Sequence, residues 1–198
     1  MKKLLLSLAL SAVTAFPVLA EPIPLARLSQ YLNELQTAEG RFTQINADGS
    51  ASEGTIFIHR PGRMRFEYDA DDLLVIAGGG QVAIFDGRSN QRPEQYPLRR
   101  TPLNLILRRN VDLAGSGMVT ALEQNGDFTH VTALDPETPE AGTITLVFSD
   151  NPVQLRSWMI TDQAGGQTQL ELGAFEQGVQ IGARLFNIPQ EIEERSLD

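Results

Sequence analysis

Apolar residues follow two different periods along this chain. Four leucines between residues 25 and 35 recur at steps of three and four, which predicts one amphipathic helix that ends before Gly40. From Arg41 onward the period changes to two, and the alternating runs are bounded by Gly, Pro and Asp. The pattern therefore predicts a mainly β chain in which antiparallel strands follow one amphipathic helix.

The alternating runs recur at similar spacing through most of the chain. The Asn125-Gly126 pair between two of them is the strongest short-range hairpin signal. Three consecutive glycines at 78–80 lie between two strands, which predicts a turn and not a phosphate-binding loop. The predicted strands cover residues 42–44, 56–58, 64–68, 73–77, 82–85, 118–124, 127–134, 144–148, 155–161 and 168–175, with a last short run near residue 185.

Residues 101–110 interrupt the strands with a second predicted helix. Thr101 can cap it, and Pro102 suits its first position. Leu103, Ile106 and Leu107 share one face of this helix, which is therefore apolar.

Two apolar helices must cover a sheet of short antiparallel strands. If the strands curl into a half-barrel, the helices either fill its concave face as a core or close it as a lid over a cavity. Periodicity does not choose between these two arrangements.

The first twenty residues have the form of a secretory signal peptide. Lys2 and Lys3 precede an apolar run at 4–13, and small residues at 18–20 suit cleavage. The apolar run is shorter than a membrane-spanning helix. We expect a leader at 1–20 and a single domain at 21–198.

Charge and composition exclude several classes of protein. The formal charge is −9, and both lysines lie in the predicted leader, so the rest is more acidic still, chiefly in its C-terminal half. This sign disfavours binding to nucleic acid or anionic lipid. The sequence contains no cysteine, which excludes disulfides, thiol nucleophiles and a lipidated cysteine.

Catalytic or metal-binding patterns are not found. His59 and His130 stand alone, without the spacing of a catalytic triad or a metal site, and we expect both to face solvent on strands. The aspartates at 69, 71 and 72 follow a strand, where acidic residues ordinarily gather. We therefore predict that the protein is not an enzyme and uses no metal or cofactor.

The segment 54–68, GTIFIHRPGRMRFEY, is the most specific motif. It is a strand ending in Arg60-Pro61, a turn, and an alternating strand ending in Tyr68. This segment resembles the signature of the bacterial outer-membrane lipoprotein carrier (LolA) family. The resemblance extends over residues 25–192 and includes the helix at 101–107 and the closing LFNIP at 185–189.

The resemblance implies an unclosed antiparallel β half-barrel covered by a lid of short helices. It also implies a monomeric periplasmic chaperone, without a cofactor, that shuttles lipoproteins from the inner to the outer membrane. The implied partners are acylated lipoproteins, an inner-membrane ABC-type exporter and, if present, an outer-membrane receptor. An envelope-stress sensor or interaction module on the same half-barrel is the alternative.

The resemblance also assigns a role to Arg60. Alternation places Ile56, Ile58 and Arg60 on one face, so the guanidinium points inward if the isoleucines do. The family implies that such an arginine binds backbone carbonyls of the lid helices and latches the empty carrier shut. The alternative is an arginine that reaches solvent or pairs with Glu67 or Asp69.

Apolar residues on the helices and on the inward face of the strands are expected to line the cargo cavity. For any single stripe, core packing is the competing interpretation, although a carrier's core is also its cavity lining. Trp158 has no predicted role. The expected lining residues are Leu28, Leu32, Leu35, Phe42, Ile56, Ile58, Met64, Phe66, Tyr68, Leu103, Ile106 and Leu107.

Overall fold

A computed structural model describes residues 21–70, 72–89 and 91–195. The predicted leader lies outside the described residues. The helices are α1 (Leu25–Glu34), α2 (Leu103–Leu107) and α3 (Ile188–Arg195), with 3-10 turns at Leu98–Arg100, Pro139–Ala141 and Ala183–Phe186. No helix in the described part of the chain is long and apolar enough to cross a membrane.

Eleven antiparallel strands form one sheet in the order β6-β5-β4-β3-β2-β1-β11-β10-β9-β8-β7. The chain forms two meanders, and pairing between β1 and β11 joins them. The sheet is open, with β6 and β7 at its edges. The strands are β1 (Thr37–Ile45), β2 (Ala51–His59), β3 (Met64–Tyr68), β4 (Leu73–Gly78), β5 (Gln81–Asp86), β6 (Glu94–Pro97), β7 (Val119–Asn125), β8 (Phe128–Leu134), β9 (Thr143–Ser149), β10 (Gln154–Thr161) and β11 (Gln167–Gln177).

One face of this sheet, called the inner face here, packs against α1 and α2. Its main cluster contains Val82 on β5 and Val131 on β8 together with Leu28 and Leu32 of α1. Strands lie about 4.8 Å apart, and a ten-residue helix is only about 15 Å long. A flat sheet could not bring strands so far apart to one short helix, so the sheet curves around α1 and α2.

The opposite face, called the outer face, carries a second apolar cluster. Leu74 and Ile76 of β4 and Phe85 of β5 pack there against Phe186 and Ile188. The chain therefore returns after β11 to cover the outer side of β3–β5 with a 3-10 turn and α3.

The predicted fold is confirmed, and the structure corrects several of its elements. The strand predicted near Leu185 is wrong, because that segment forms a 3-10 turn that leads into α3. Thr101 is not the cap of α2: its hydroxyl donates to the Leu98 carbonyl at 2.8 Å, and Pro102 occupies the N-cap without a side-chain bond. β1 begins at Thr37, before the predicted Arg41, and β6 was not predicted.

Candidate functional site

The inner face and the two helices above it bury most of the predicted lining residues. Ten of the twelve are at most 6% exposed; Tyr68 and Leu103 are half-buried. On α2, Leu105 is buried instead of Leu103, because the short helix turns the 105–107 run toward the sheet. The ten buried residues are Leu28, Leu32, Leu35, Phe42, Ile56, Ile58, Met64, Phe66, Ile106 and Leu107.

Phe42 occupies the centre of the inner face. Its ring meets Phe66 and Tyr68 edge to face, with ring centroids 5.5 and 5.1 Å away. Gly54 lies opposite Phe42 on β2, and a Cβ at Gly54 would lie 2.7 Å from the Phe42 ring. Glycine at this position therefore makes the room in which the aromatic ring lies.

Two polar side chains also belong to the inner face. The Tyr68 hydroxyl donates to Oε1 of Gln44 at 2.7 Å, and Gln44 donates in turn to Asn46 at 2.7 Å. Burial raises the pKa of Tyr68 to about 12. Tyr68 is therefore a neutral hydrogen-bonding group at physiological pH.

Trp158 lies on the inner face, although the sequence assigned it no role. It is 2% exposed and pairs across the sheet with Leu146 and Leu170, both buried. The sequence does not reveal that Trp158 points inward, because the register shift between Leu155 and Ser157 breaks the simple alternation along β10. This tryptophan is the only one in the sequence.

Arg60 follows β2 and points to the inner side, with 4% exposure. Its Nη1 donates to the Leu35 carbonyl at 3.4 Å, and its Nη2 donates to the Arg108 carbonyl. Burial lowers the pKa of the Arg60 guanidinium, which nevertheless remains charged. A single buried cation therefore contacts the C-terminal ends of both α1 and α2.

The alternative partners of Arg60 are engaged elsewhere. Asp69 pairs with Arg41, and Glu67 pairs with Arg65. Nε of Arg60 is buried without a hydrogen-bond partner among the described residues. The guanidinium is thus held by two carbonyls but is not fully satisfied.

α1 is also tied to the segment that follows α2. The Asn33 side chain donates to the Val111 carbonyl at 2.9 Å and accepts from the Val111 amide at 2.8 Å. Ser29 Oγ accepts from the Leu113 amide at 2.9 Å. We call α1, α2, Arg108 and residues 111–113 the lid, because these bonds and those of Arg60 join them over the inner face. Sequence reasoning missed Ser29 and Asn33, whose partners lie about 80 residues away.

The apolar side chains of the lid and the inner face belong to one buried cluster. A cleft of about 1000 Å³ lies elsewhere, between the loop after β5 and α3, where Phe85, Arg92 and Glu191 line it. Any guest of the inner face would therefore have to displace the lid.

The described residues offer no metal-binding cluster. No group of three or more His, Asp or Glu side chains there could hold a metal ion. His59 does not face solvent as predicted, because the C-terminal segment covers it and its ring lies 5.8 Å from that of Phe186. Burial, with a contribution from Arg63, lowers the pKa of His59.

Comparison with known proteins gives consistent matches. The family profile described as Outer membrane lipoprotein carrier protein LolA matches residues 33–189. The outer-membrane lipoprotein carrier protein of Pseudomonas fluorescens is 28% identical over 177 residues, covering 84% of each chain.

Solved structures share the architecture. A putative outer membrane lipoprotein-sorting protein domain from Vibrio parahaemolyticus has a TM-score of 0.50 at 8% identity, covering 84% of this chain and 96% of that chain. A chain of the Pseudomonas aeruginosa MucA/MucB complex has a TM-score of 0.45 at 13% identity, covering 82% of this chain and 59% of that chain. The first likeness supports the fold, and the second is too low to support a function.

Proposed function

Because this chain belongs to the LolA family of outer membrane lipoprotein carrier proteins, we propose that it carries lipoproteins from the inner to the outer membrane. It would do so by holding their acyl chains between the lid and the inner face. The family is one of carriers and not of enzymes. In this proposal residues 1–20 direct the chain to the periplasm, and residues 21–198 act as one monomeric carrier domain.

The burial of Arg60 beneath a lid is the observation that carries the proposal. A core with no guest gains little from a charged side chain whose Nε is left without a partner. A cation that contacts both lid helices at their ends can, however, hold a movable cover in place. Arg60 acts here as the latch of the empty carrier.

The energies are of the right size for a reversible latch. A hydrogen bond to a charged group contributes about 1.5–3 kcal/mol, so two such bonds together contribute roughly 3–6 kcal/mol. Burial of an acyl chain contributes about 0.8 kcal/mol per methylene, so about eight methylenes would offset both bonds. The acyl chains of a lipoprotein can therefore offset the loss of these two bonds.

The partners follow from this cargo. A lipoprotein must be released from the inner membrane by an exporter of the ABC type and accepted by a receptor, where one exists, at the outer membrane. The lid must open at both steps. No nucleic acid or cofactor takes part in this cycle.

The proposal is tested with purified protein and one purified triacylated lipoprotein. The lipoprotein is mixed with the carrier in detergent, the detergent is removed, and the sample is separated by size. We expect a soluble one-to-one complex, and the same lipoprotein without acyl chains serves as the control that stays free. If the acylated lipoprotein precipitates despite the carrier, or if both forms bind equally, the proposal fails.

The alternative function predicts a different result. A sensor would retain a periplasmic regulatory protein while leaving lipoproteins unbound. A binding survey with that outcome would favour the sensor over the carrier.

A further inference from the structure

An ion pair makes a second contact between the lid and the sheet, at the residue whose carbonyl accepts from Arg60. Nη2 of Arg108, directly after α2, contacts Oδ2 of Asp135. The Asp135 side chain is 8% exposed, while that of Arg108 is 31% exposed. Oδ1 of Asp135 also accepts from the Glu137 amide at 3.1 Å, which fixes the carboxylate in its turn.

This pair differs from an ordinary surface contact. In the Arg41–Asp69 pair, the two side chains are 47% and 50% exposed. Exposed pairs of that kind contribute little, because water screens both charges. Asp135 is largely removed from water, so the loss of Arg108 would leave a buried carboxylate without its cation.

The two partners of Arg108 come from opposite halves of the sheet. Its backbone carbonyl accepts from Arg60, at the end of β2, and its side chain reaches Asp135, which directly follows β8. Four strands separate β2 from β8 in the sheet order. The C-terminal end of α2 is thus the point at which the lid bridges the two halves of the half-barrel.

We propose that Arg108 and Asp135 form a second closing contact of the lid, which positions the Arg108 carbonyl for Arg60. The inference rests on the proposed function in one respect, namely that the lid opens to admit cargo. Asp135 anchors the Arg108 side chain, and that anchorage sets the direction of the carbonyl that Arg60 uses. Arg108 and Asp135 are positioning residues, and neither needs to touch the acyl chains.

Lid opening can be measured without any lipid. Because the chain contains no cysteine, Leu105→Cys places one thiol on α2 at a position that is 2% exposed. A water-soluble maleimide would alkylate this thiol only when the lid opens. The alkylation rate of the empty protein therefore reports the opening equilibrium.

The neighbouring Arg109 supplies the matched control. It is exposed and follows Arg108 directly. In the Leu105→Cys background we expect Arg108→Gln and Asp135→Asn each to raise the alkylation rate about tenfold or more, the size expected when one charge-assisted hydrogen bond is lost. Arg109→Gln should leave the rate unchanged, and Arg108→Lys, which retains a cation, should restore most of the slow rate.

A double variant tests whether Arg108 and Asp135 position the carbonyl that Arg60 uses. If Asp135 and Arg108 orient the carbonyl that Arg60 uses, Arg60→Gln combined with Arg108→Gln should raise the rate by less than the product of the two single effects. Urea unfolding of each variant separates lid opening from a loss of global stability. Equal rates for Arg108→Gln and Arg109→Gln, or strictly multiplicative effects in the double variant, would overturn the proposal.

The same variants distinguish the two proposals. If alkylation behaves as expected but the empty protein never retains an acylated lipoprotein, the carrier function fails and the closing contact stands. If lipoprotein is retained while Arg108→Gln leaves alkylation unchanged, the closing contact fails and the carrier function stands.

Discussion

Arg60 shows how a single charged residue can be placed in an apolar interior by strand periodicity. Ile56 and Ile58 are at most 2% exposed, and Arg60, two positions further, points to the same side. The inward direction was therefore predictable from the sequence. Its two carbonyl partners were implied by the family resemblance and not by the local pattern, because they belong to helices distant in sequence.

Arg60→Leu tests the latch at the scale of one residue. Without the guanidinium the closed, empty form loses both bonds to the lid, so closure drives release of the cargo less strongly. We expect lipoprotein binding to persist and release to slow by about tenfold or more, as the loss of bonds of 1.5–3 kcal/mol each implies. The rate of transfer from the loaded carrier to acceptor vesicles measures this change.

Arg63 provides the control for Arg60. It lies in the same β2–β3 turn but stacks over the Phe186 ring on the outer face, 6.0 Å from the ring centroid. Arg63→Leu should leave the release rate unchanged. An unaltered release rate in Arg60→Leu would remove Arg60 from the mechanism.

Gly54 must be small because it lies opposite the Phe42 ring on the inner face. An added Cβ would collide with the Phe42 ring and with the Glu67 carbonyl. We expect Gly54→Ala to lower the free energy of unfolding by about 1–3 kcal/mol. Gly182→Ala is the control, since a Cβ there meets nothing within 4 Å, and its effect should stay within about 0.5 kcal/mol. Urea unfolding that finds the two variants equally stable would contradict this account of Gly54.

At the scale of elements, the C-terminal segment is the part that the sequence predicted least well. α3 has only two apolar residues that face the sheet, Ile188 and Ile192, too few to establish a helical period. Its position depends on Arg65 of β3, which donates to the Leu185 carbonyl at 3.1 Å and to Glu191 at 2.9 Å. Such contacts across the fold leave no trace in local patterning.

Strands on the inner face were predicted much better than the segments at the edges. Alternation in β2 and β3 identified both strands and the side that carries their apolar residues, because that side lies against the lid. β6 is short, with no buried residue among its four, so it carries no alternation signal. The start of β1 was missed because Ala38 and Gly40 have weak strand propensity.

Attachment of α3 should depend on pH through Glu191. Burial by itself would raise the pKa of Glu191, but hydrogen bonds from Arg65 and Arg195 outweigh it and leave the pKa below its ordinary value of 4.5. A carboxyl group with a depressed pKa stabilises the fold above its unfolded pKa, and this stabilisation is lost as pH falls through the folded pKa. Stability should therefore decline below about pH 4.5 in part through this group.

Glu191→Gln isolates that contribution. The difference in unfolding free energy between wild type and Glu191→Gln should be constant above about pH 5 and shrink as the pH falls below 4.5. The surrounding charges on β3, the loop before β4 and α3 are those of Arg65, Glu67, Asp72 and Arg195. Glu176→Gln, at an exposed position at the end of β11, is measured alongside as the control variant. If the difference in unfolding free energy between wild type and Glu191→Gln stays constant down to pH 3, the assignment is contradicted.

At the scale of the whole molecule, the open sheet and its lid are connected at both halves of the sheet. A closed barrel of this many strands would fix its interior volume, whereas an open sheet with edges at β6 and β7 leaves room for the lid movement that the proposed function requires. The lid is joined to one half of the sheet through Arg60 and to the other through Asp135. The lid and the inner face share one buried apolar cluster, so under the proposed function the acyl chains would replace contacts that the lid makes.

The position of Trp158 permits the most direct test of this account. As the only tryptophan in the chain, it lies 2% exposed on the inner face, where acyl chains would enter. A lipopeptide whose acyl chains carry bromine atoms quenches indole fluorescence only at short range, and the unbrominated lipopeptide controls for other effects. We expect binding to quench Trp158 in step with formation of a one-to-one complex. A brominated lipopeptide that binds the protein with equal affinity but leaves Trp158 unquenched would show that the acyl chains do not lie beneath the lid.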